Sequence, residues 1–190
     1  MVNVVSKTVY FESPGPQNTE DTLKLAKERA EELAIRSLIV ASTTGETGVK
    51  ASKIFKGHNL VIVTNVTGFT KPDVQQLSSV NRKIIENCGC KIVTSAHAFG
   101  TLGRAVNKKF GTIEVDGIVS GVFRLFGQGL KVACEISCMA ADAGVVSINE
   151  DAVAIGGTGN GADTAVILKP SNTHAFFDLR LKEILCKPRL

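Results

Sequence analysis

Three apolar runs constrain this chain more than any other feature: SLIVAST at 37–43, LVIVTN at 60–65 and KIVTSA at 91–96. In none of them do apolar and polar residues alternate, so neither face of the strand each would form can be left to water. Strands of that kind belong to a sheet covered by helices on both sides, which is how parallel strands read. Each run ends at a turn of hydroxyl-bearing and small residues, and helical spacing follows over Val49–Phe55, over Asp73–Asn87 and near Leu102–Lys109. Strand, turn and helix, three times over, predict an α/β fold: a three-layer α/β/α sandwich with a mostly parallel sheet.

The rest of the chain supplies elements of the same kind. Thr8–Glu12 is β-prone and stops at Ser13-Pro14-Gly15-Pro16, where neither strand nor helix can continue. From Asn18 or Thr19, TEDTLKLAKERAEELA sets Leu23, Ala26, Ala30 and Leu33 on one face behind an acidic first turn, an amphipathic helix. Between 116 and 144 the helical spacing breaks at Gly127 and Gly129, which predicts two helices, with Gly144 capping the second. VVSI (145–148), AVAIG (152–156) and TAVIL (164–168) read as strands, and AFFDLRLKEIL (175–185) as an edge strand or a short helix. At 190 residues, with no internal repeat and no linker, a single domain over 1–190 is expected.

Composition removes several functions. The 22 basic and 18 acidic residues are scattered, for a net charge of +4, and aromatics make up 5%. A nucleic-acid binder clusters Lys and Arg on one face and interleaves aromatics for stacking, so no nucleic-acid partner is expected. No run approaches the roughly 18 uninterrupted apolar residues of a membrane span, so no membrane partner is expected either. Cys88, Cys90, Cys134, Cys138 and Cys186 form an odd set, and the chain opens without a basic-then-apolar signal segment; both point to a reducing, cytoplasmic setting. Cys88-Gly89-Cys90 is too tight for a zinc knuckle, and Cys134 and Cys138 lie at i, i+4 on an apolar segment. Buried thiols, and no metal, are expected.

Two loops carry the chemistry. The first, STTGETG, holds Ser42, Thr43, Thr44, Gly45, Glu46, Thr47 and Gly48. At the carboxyl end of a parallel strand a glycine-containing turn lets backbone amides approach a ligand, and the helix behind it offers unpaired N–H groups and the positive end of its dipole. Such a corner suits a phosphate, with Ser42, Thr43, Thr44 and Thr47 as hydroxyl donors and Lys50 and Lys53 as charges. The same residues also read as an ordinary cap and turn. The second loop contains Gly156, Gly157, Thr158, Gly159, Asn160, Gly161, Asp163 and Thr164. Ordering so many glycines costs chain entropy, which suggests close backbone approach or positive φ. GTGNG is not the dinucleotide fingerprint, because a strand and not a helix follows it. A polar clamp on a ligand and a flexible turn both remain open.

Further candidates sit where α/β sheets hold ligands, outside the carboxyl ends of strands. Asn65, with Thr67 and Gly68, follows the second apolar run and His97 the third. Glu135 and Asp142 lie beside an apolar stripe, as a solvated helix face or as a ligand-facing or buried pair. No acid–base pair or nucleophile stands at diagnostic spacing, so no catalytic residue is assigned.

The stretch ASTTGETGVKASKIFKGHNLVIVT (41–64) resembles the corresponding stretch of the C-terminal domain of pyruvate kinases. TSAHAFGTLGRA, GLKVACEISCMAADAG, GGTGNGADTAVILKP and AFFDLRLKEIL extend the likeness to small stand-alone proteins similar to that domain. The resemblance covers nearly the whole chain and implies the same three-layer fold. In pyruvate kinases the corner holds a phosphate of an allosteric sugar bisphosphate. The stand-alone proteins have been associated with flavin mononucleotide (FMN), which implies its phosphate at Thr43–Thr47 and its ring near His97 and the 156–164 loop. Nothing here resembles the barrel domain with its metal ligands and phosphoryl-transfer residues, so pyruvate kinase activity is not expected.

The leading expectation is therefore a protein that binds a phosphate-bearing small molecule, FMN foremost, between Ser42–Gly48 and Gly156–Thr164. Two alternatives stay open: a flavin-dependent oxidoreductase using His97 or Glu135 as proton donor, and a regulatory module sensing a phosphorylated metabolite. Assembly into a homo-oligomer is one reading of the apolar segment IVSGVFRLFG, with Ile118, Val119, Val122, Phe123, Leu125 and Phe126; core burial is the other.

Overall fold

A computed structural model describes residues 3–189 of the protein. In chain order its elements are β1 (Val9–Phe11), α1 (Thr19–Glu32), β2 (Ser37–Ala41), α2 (Glu46–Ile54), β3 (Asn59–Thr64), α3 (Ser79–Asn87), β4 (Lys91–Thr94), α4 (Leu102–Phe110), α5 (Val115–Arg124), α6 (Gln128–Asp142), β5 (Ala152–Gly156), β6 (Thr164–Lys169) and β7 (Arg180–Pro188). Short 3-10 turns at Pro16–Asn18 and Thr173–Asp178 lead into α1 and β7. One sheet holds all seven strands in the order β1-β7-β6-β5-β2-β3-β4.

β6 alone runs against its neighbours, pairing antiparallel with β5 and β7. The other pairings, β1 with β7, β2 with β3 and with β5, and β3 with β4, are parallel. The loop from Gly157 to Asp163 is too short for a crossover, so the chain can only turn back on itself there.

The apolar runs fail to alternate because both faces of the sheet are covered. Leu38 and Val40 of β2, Leu60 and Ile62 of β3 and Val153 and Ile155 of β5 pack with Leu23 and Ala26 of α1, Ala51 of α2 and Ile85 of α3. The intervening Ile39, Val61, Val63 and Ala152 pack on the other side against Ile136, Met139 and Ala140 of α6. α6 is itself enclosed, with only its C-terminal Asp142 exposed, which suits a helix whose apolar residues run nearly all round.

Several boundaries differ from the expectation. The helix expected over Asp73–Asn87 spans only Ser79–Asn87: Pro72 and a positive φ of 61° at Asp73 break the earlier part, and the Ser78 hydroxyl caps α3 by accepting from the Asn81 N–H at 3.1 Å. VVSI is not a strand. Gly144, at φ 67°, ends α6, and the segment folds under the sheet, Val146 entering the core while the Val145 carbonyl accepts from Asn59 Nδ2 at 3.1 Å. The last element is a strand, an edge strand as expected over Arg180–Leu185, where it pairs with β6 alone; β1 adds outside it only at Cys186–Pro188. Among the described residues no helix is long and apolar enough to cross a membrane. Cys134, Cys138 and Cys186 are buried, and burial pushes their thiols up to about 12, 12 and 11.

Candidate functional site

The carboxyl ends of β2, β3 and β5 open into one cavity of about 310 Å³. Ser42, Thr43, Thr44, Glu46 and Thr47 line it from the corner after β2, Asn65 from behind β3, His97 from behind β4, and Gly157, Gly159, Asn160 and Gly161 from the loop after β5. The two loops singled out from the sequence thus share one site although more than a hundred residues separate them.

The corner is built by glycine geometry and by α3 behind it. Gly45 takes φ 96°, a left-handed conformation that turns β2 into α2 and contributes no side chain to cap the helix. The first amides of α2 have no carbonyl within the helix to donate to. The Gly48 N–H donates to Ser42 Oγ at 3.0 Å, and a Cβ at Gly48 would come within 2.9 Å of Ile85. The Thr44 carbonyl accepts from Asn81 Nδ2 at 3.0 Å, so α3 holds the corner from behind. Gly45 and Gly48 therefore shape the site without lining it. Lys50 instead pairs with Glu20 at 3.3 Å, and Lys53 is exposed; neither lines the cavity.

In the glycine loop the polar residues divide. Asp163 is fully buried and accepts from the Gly15 N–H at 3.1 Å, the Thr158 N–H at 3.1 Å and the Thr164 hydroxyl at 2.8 Å. Its carboxylate fastens the loop to itself and to the turn before α1. The Thr19 hydroxyl adds a second tie, accepting from the Ala162 N–H at 3.0 Å. Thr158, Asp163, Thr164 and Gly156 do not line the cavity; they hold in place the glycines that do.

Three cations complete the cavity: Arg104 of α4, Arg124 of α5 and Lys131 of α6. Lys131 and Glu135 form an ion pair one turn apart with side chains only 4% and 7% exposed, and Glu135 also accepts from the Phe99 N–H at 3.0 Å. Burial pulls the Lys131 ammonium below its usual value, and the attraction of Glu135 opposes this. Among the described residues neither Arg104 nor Arg124 has a carboxylate partner. Arg124 donates to Gln128 Oε1 at 2.7 Å, and the Arg104 guanidinium lies 4.9 Å from the centroid of the Phe69 ring.

His97 stacks at 5.0 Å on the same Phe69 ring, and its Nε2 accepts from the Val66 N–H at 3.4 Å. Burial lowers its pKa below 6.5; Glu135 opposes that, while Lys131 and Arg104 add to it. His97 is therefore neutral at pH 7, and the charges of the cavity outside the Lys131–Glu135 pair are Arg104, Arg124 and the Glu46 carboxylate. The two buried charges in the apolar segment GLKVACEIS were a readable signal for the Lys131–Glu135 pair. Arg104 and Arg124 carried none.

Asp142 lies at the other end of α6, away from the cavity. It accepts from the Thr173 N–H at 3.0 Å, from the Thr173 hydroxyl and from Asn172 Nδ2 at 3.1 Å, tying the helix to the turn before β7. Burial raises its pKa, but these hydrogen bonds outweigh that and hold it below the usual 3.8. Its folded value is depressed, so it stabilises the protein above the unfolded value and ceases to as pH falls below it. Asp142→Ala is expected to cost about 1 kcal/mol at pH 7, the group being largely exposed, with the difference from the parent vanishing in acid; urea titrations at neutral and acid pH would measure it.

The family model described as pyruvate kinase, alpha/beta domain, matches residues 20–168 of the chain.

Proposed function

Since the chain belongs to the pyruvate kinase alpha/beta domain family, we propose that its cavity binds a phosphate-bearing small molecule, and specifically FMN. One observation carries this reading: two arginines that have no carboxylate partner among the described residues share a cavity with a corner rich in hydroxyls and helix N-terminal amides. Guanidinium groups and uncapped amides held together in a sheltered site are stabilised by an anion with several acceptor oxygens. The cavity volume, about 310 Å³, falls at the small end of the range typical for ligand pockets, about 300–1,000 Å³. Ser42 to Thr47 would hold the phosphate. Val132, Ile136 and Met139, with Phe69 and His97, offer the apolar surface that a flavin ring needs.

The test is direct. Purified protein should show flavin absorbance or acquire it on addition of FMN, and heat should release FMN for mass spectrometry. Thr44→Val combined with Thr47→Val should weaken binding by about 100-fold, since each lost hydroxyl donated to a charged oxygen is worth about 1.5 kcal/mol. Unchanged affinity would remove the corner from the site. Protein that neither carries nor takes up FMN, but binds other phosphorylated metabolites, would leave the phosphate site standing and replace the ligand.

A second reading, a flavin-dependent oxidoreductase, draws on His97 and the Lys131–Glu135 pair, which place proton-holding groups in the same cavity. Bound FMN supplies the hydride chemistry and the protein positions it. Reduction of the loaded protein by NADH or NADPH would favour this reading, and inertness toward both would leave a binding protein. The free thiols of Cys88 and Cys90 suit a reducing cytoplasm, the compartment we assign.

A further inference from the structure

α5 keeps its polar residues, Asp116, Ser120 and Arg124, on one i, i+4, i+8 stripe, and all its other positions are Val, Ile, Phe or Gly. Its inner face packs Val119 and Phe123 with Phe99 and Phe176, and Ser120 donates to the Phe99 carbonyl at 2.8 Å. That leaves Val115, Ile118 and Val122 of α5, and Leu125 just after it, turned outward and each half to three-quarters exposed, with Phe110, Ile113 and Phe126 exposed beside them. An apolar helix face is ordinarily a covered one. Side chains exposing on the order of 100 Å² each bring this face to on the order of 700 Å². That is more than the about 300–600 Å² of the largest patch on a typical monomer, and close to the about 800 Å² each partner gives a stable interface.

We infer that this face is a homodimer interface in which α5 packs antiparallel on α5 of a second copy. A two-fold interface must be complementary to itself, and the pattern of α5 is. Gly117 and Gly121 are exposed on the same face as Ile118 and Val122, and at Gly121 a Cβ would meet nothing within 4 Å. Antiparallel pairing seats Ile118 over Gly121 of the second copy and Val122 over its Gly117, so that each large side chain meets a hollow. Charge agrees with this register. Arg124 is the one exposed charged residue of α5, and the pairing brings it beside Glu114, at the start of the helix in the second copy, so like charges do not meet. Arg124 also lines the ligand cavity, which places the second copy at its rim.

Sedimentation velocity of the full chain over a range of concentrations tests this. The expected result is a dimer whose mass halves in Ile118→Glu and, separately, in Gly121→Leu, with far-ultraviolet circular dichroism unchanged. Both positions are exposed, and two variants are used so that misfolding of either leaves the other to decide. A parent that is monomeric throughout, or a dimer that survives both substitutions, overturns the inference. So does a monomeric parent that co-sediments with phospholipid vesicles, which would assign the same face to a lipid surface.

Discussion

Replacing Gly156 by valine is expected to destabilise the protein severely. Gly156 ends β5 directly under the first turns of α6, and a Cβ built there would lie 2.3 Å from the Gly129 carbonyl oxygen and 3.0 Å from the Ala133 nitrogen. Both are backbone atoms, so no side chain can rotate away. Gly129 is equally pressed from its own side: a Cβ on it would lie 2.2 Å from the Thr164 hydroxyl and 2.7 Å from Asp163 Oδ1. This pair of glycines lets α6 lie on the sheet at close range. A valine would have to lift the helix from a core that includes Ala133, Ile136 and Ala140. The expected cost is about 3 kcal/mol or more, a large part of the about 5–15 kcal/mol that holds a typical domain together. Thermal unfolding should show a midpoint lower by roughly 10 °C or no cooperative transition at all. A midpoint within a few degrees of the parent would mean that α6 can move freely over β5, and the close-packing account would fail.

The second large effect is expected at the Lys131–Glu135 pair. Glu135→Leu removes the carboxylate paired with a lysine whose side chain is 4% exposed, and it also takes the acceptor from the Phe99 N–H. Breaking a buried pair by deleting one partner costs about 3–5 kcal/mol, because the remaining charge stays buried without compensation. Burial already holds the Lys131 ammonium below 10.5 against the attraction of Glu135, and without Glu135 it falls further. With the folded value below the unfolded one, the unfolded chain binds the proton more tightly. The variant therefore gains stability as pH rises from neutral toward the unfolded value of 10.5, while the parent gains less. Denaturant titrations at neutral and alkaline pH would measure both trends. Lys131→Met added to Glu135→Leu should restore most of the stability, since an apolar pair of similar size suits a buried site, while anion binding stays weakened by the missing cation. A single variant as stable as the parent, with no pH dependence, would show that the pair is not a desolvated charge pair.

Much of the fold was legible because it is written in period. The double-sided burial of β2, β3 and β5 appears in the sequence as apolar runs without alternation, and the amphipathic face of α1 appears as Leu23, Ala26 and Ala30. Period failed where an apolar segment serves something other than a strand or helix. Val145–Ile148 is apolar enough for a strand, yet it closes the end of the core behind the Gly144 cap. Val74 and Leu77 extend the helical spacing of α3 backwards, yet Pro72 and the cap at Ser78 begin the helix later.

The candidate site divides along the same line. The corner at Ser42–Gly48, Asn65, His97 and the glycine loop could be found because each follows an apolar run directly, and the carboxyl ends of parallel strands gather on one side of a sheet. Their meeting in one cavity follows from that arrangement. Asp163 could not be read correctly as a single residue: its position in a glycine loop suggests a ligand clamp, and only the folded chain brings the Gly15 and Thr158 amides onto its carboxylate.

The sequence by itself determined the α/β class, the covered sheet and the corner suited to a phosphate, because each depends on residues close together in the chain and on the spacing of their side chains. Only the tertiary structure decided that β1 adds outside the end of β7, and that Arg104, Arg124 and Lys131 converge over the strand ends. Those three cations stand on three different helices, and where the ends of α4, α5 and α6 come to lie is set by packing between distant segments, such as Gly129 on Gly156 and Ser120 on the Phe99 carbonyl. Local spacing does not encode such contacts, so the cations that line the cavity became visible only once the helices were in place.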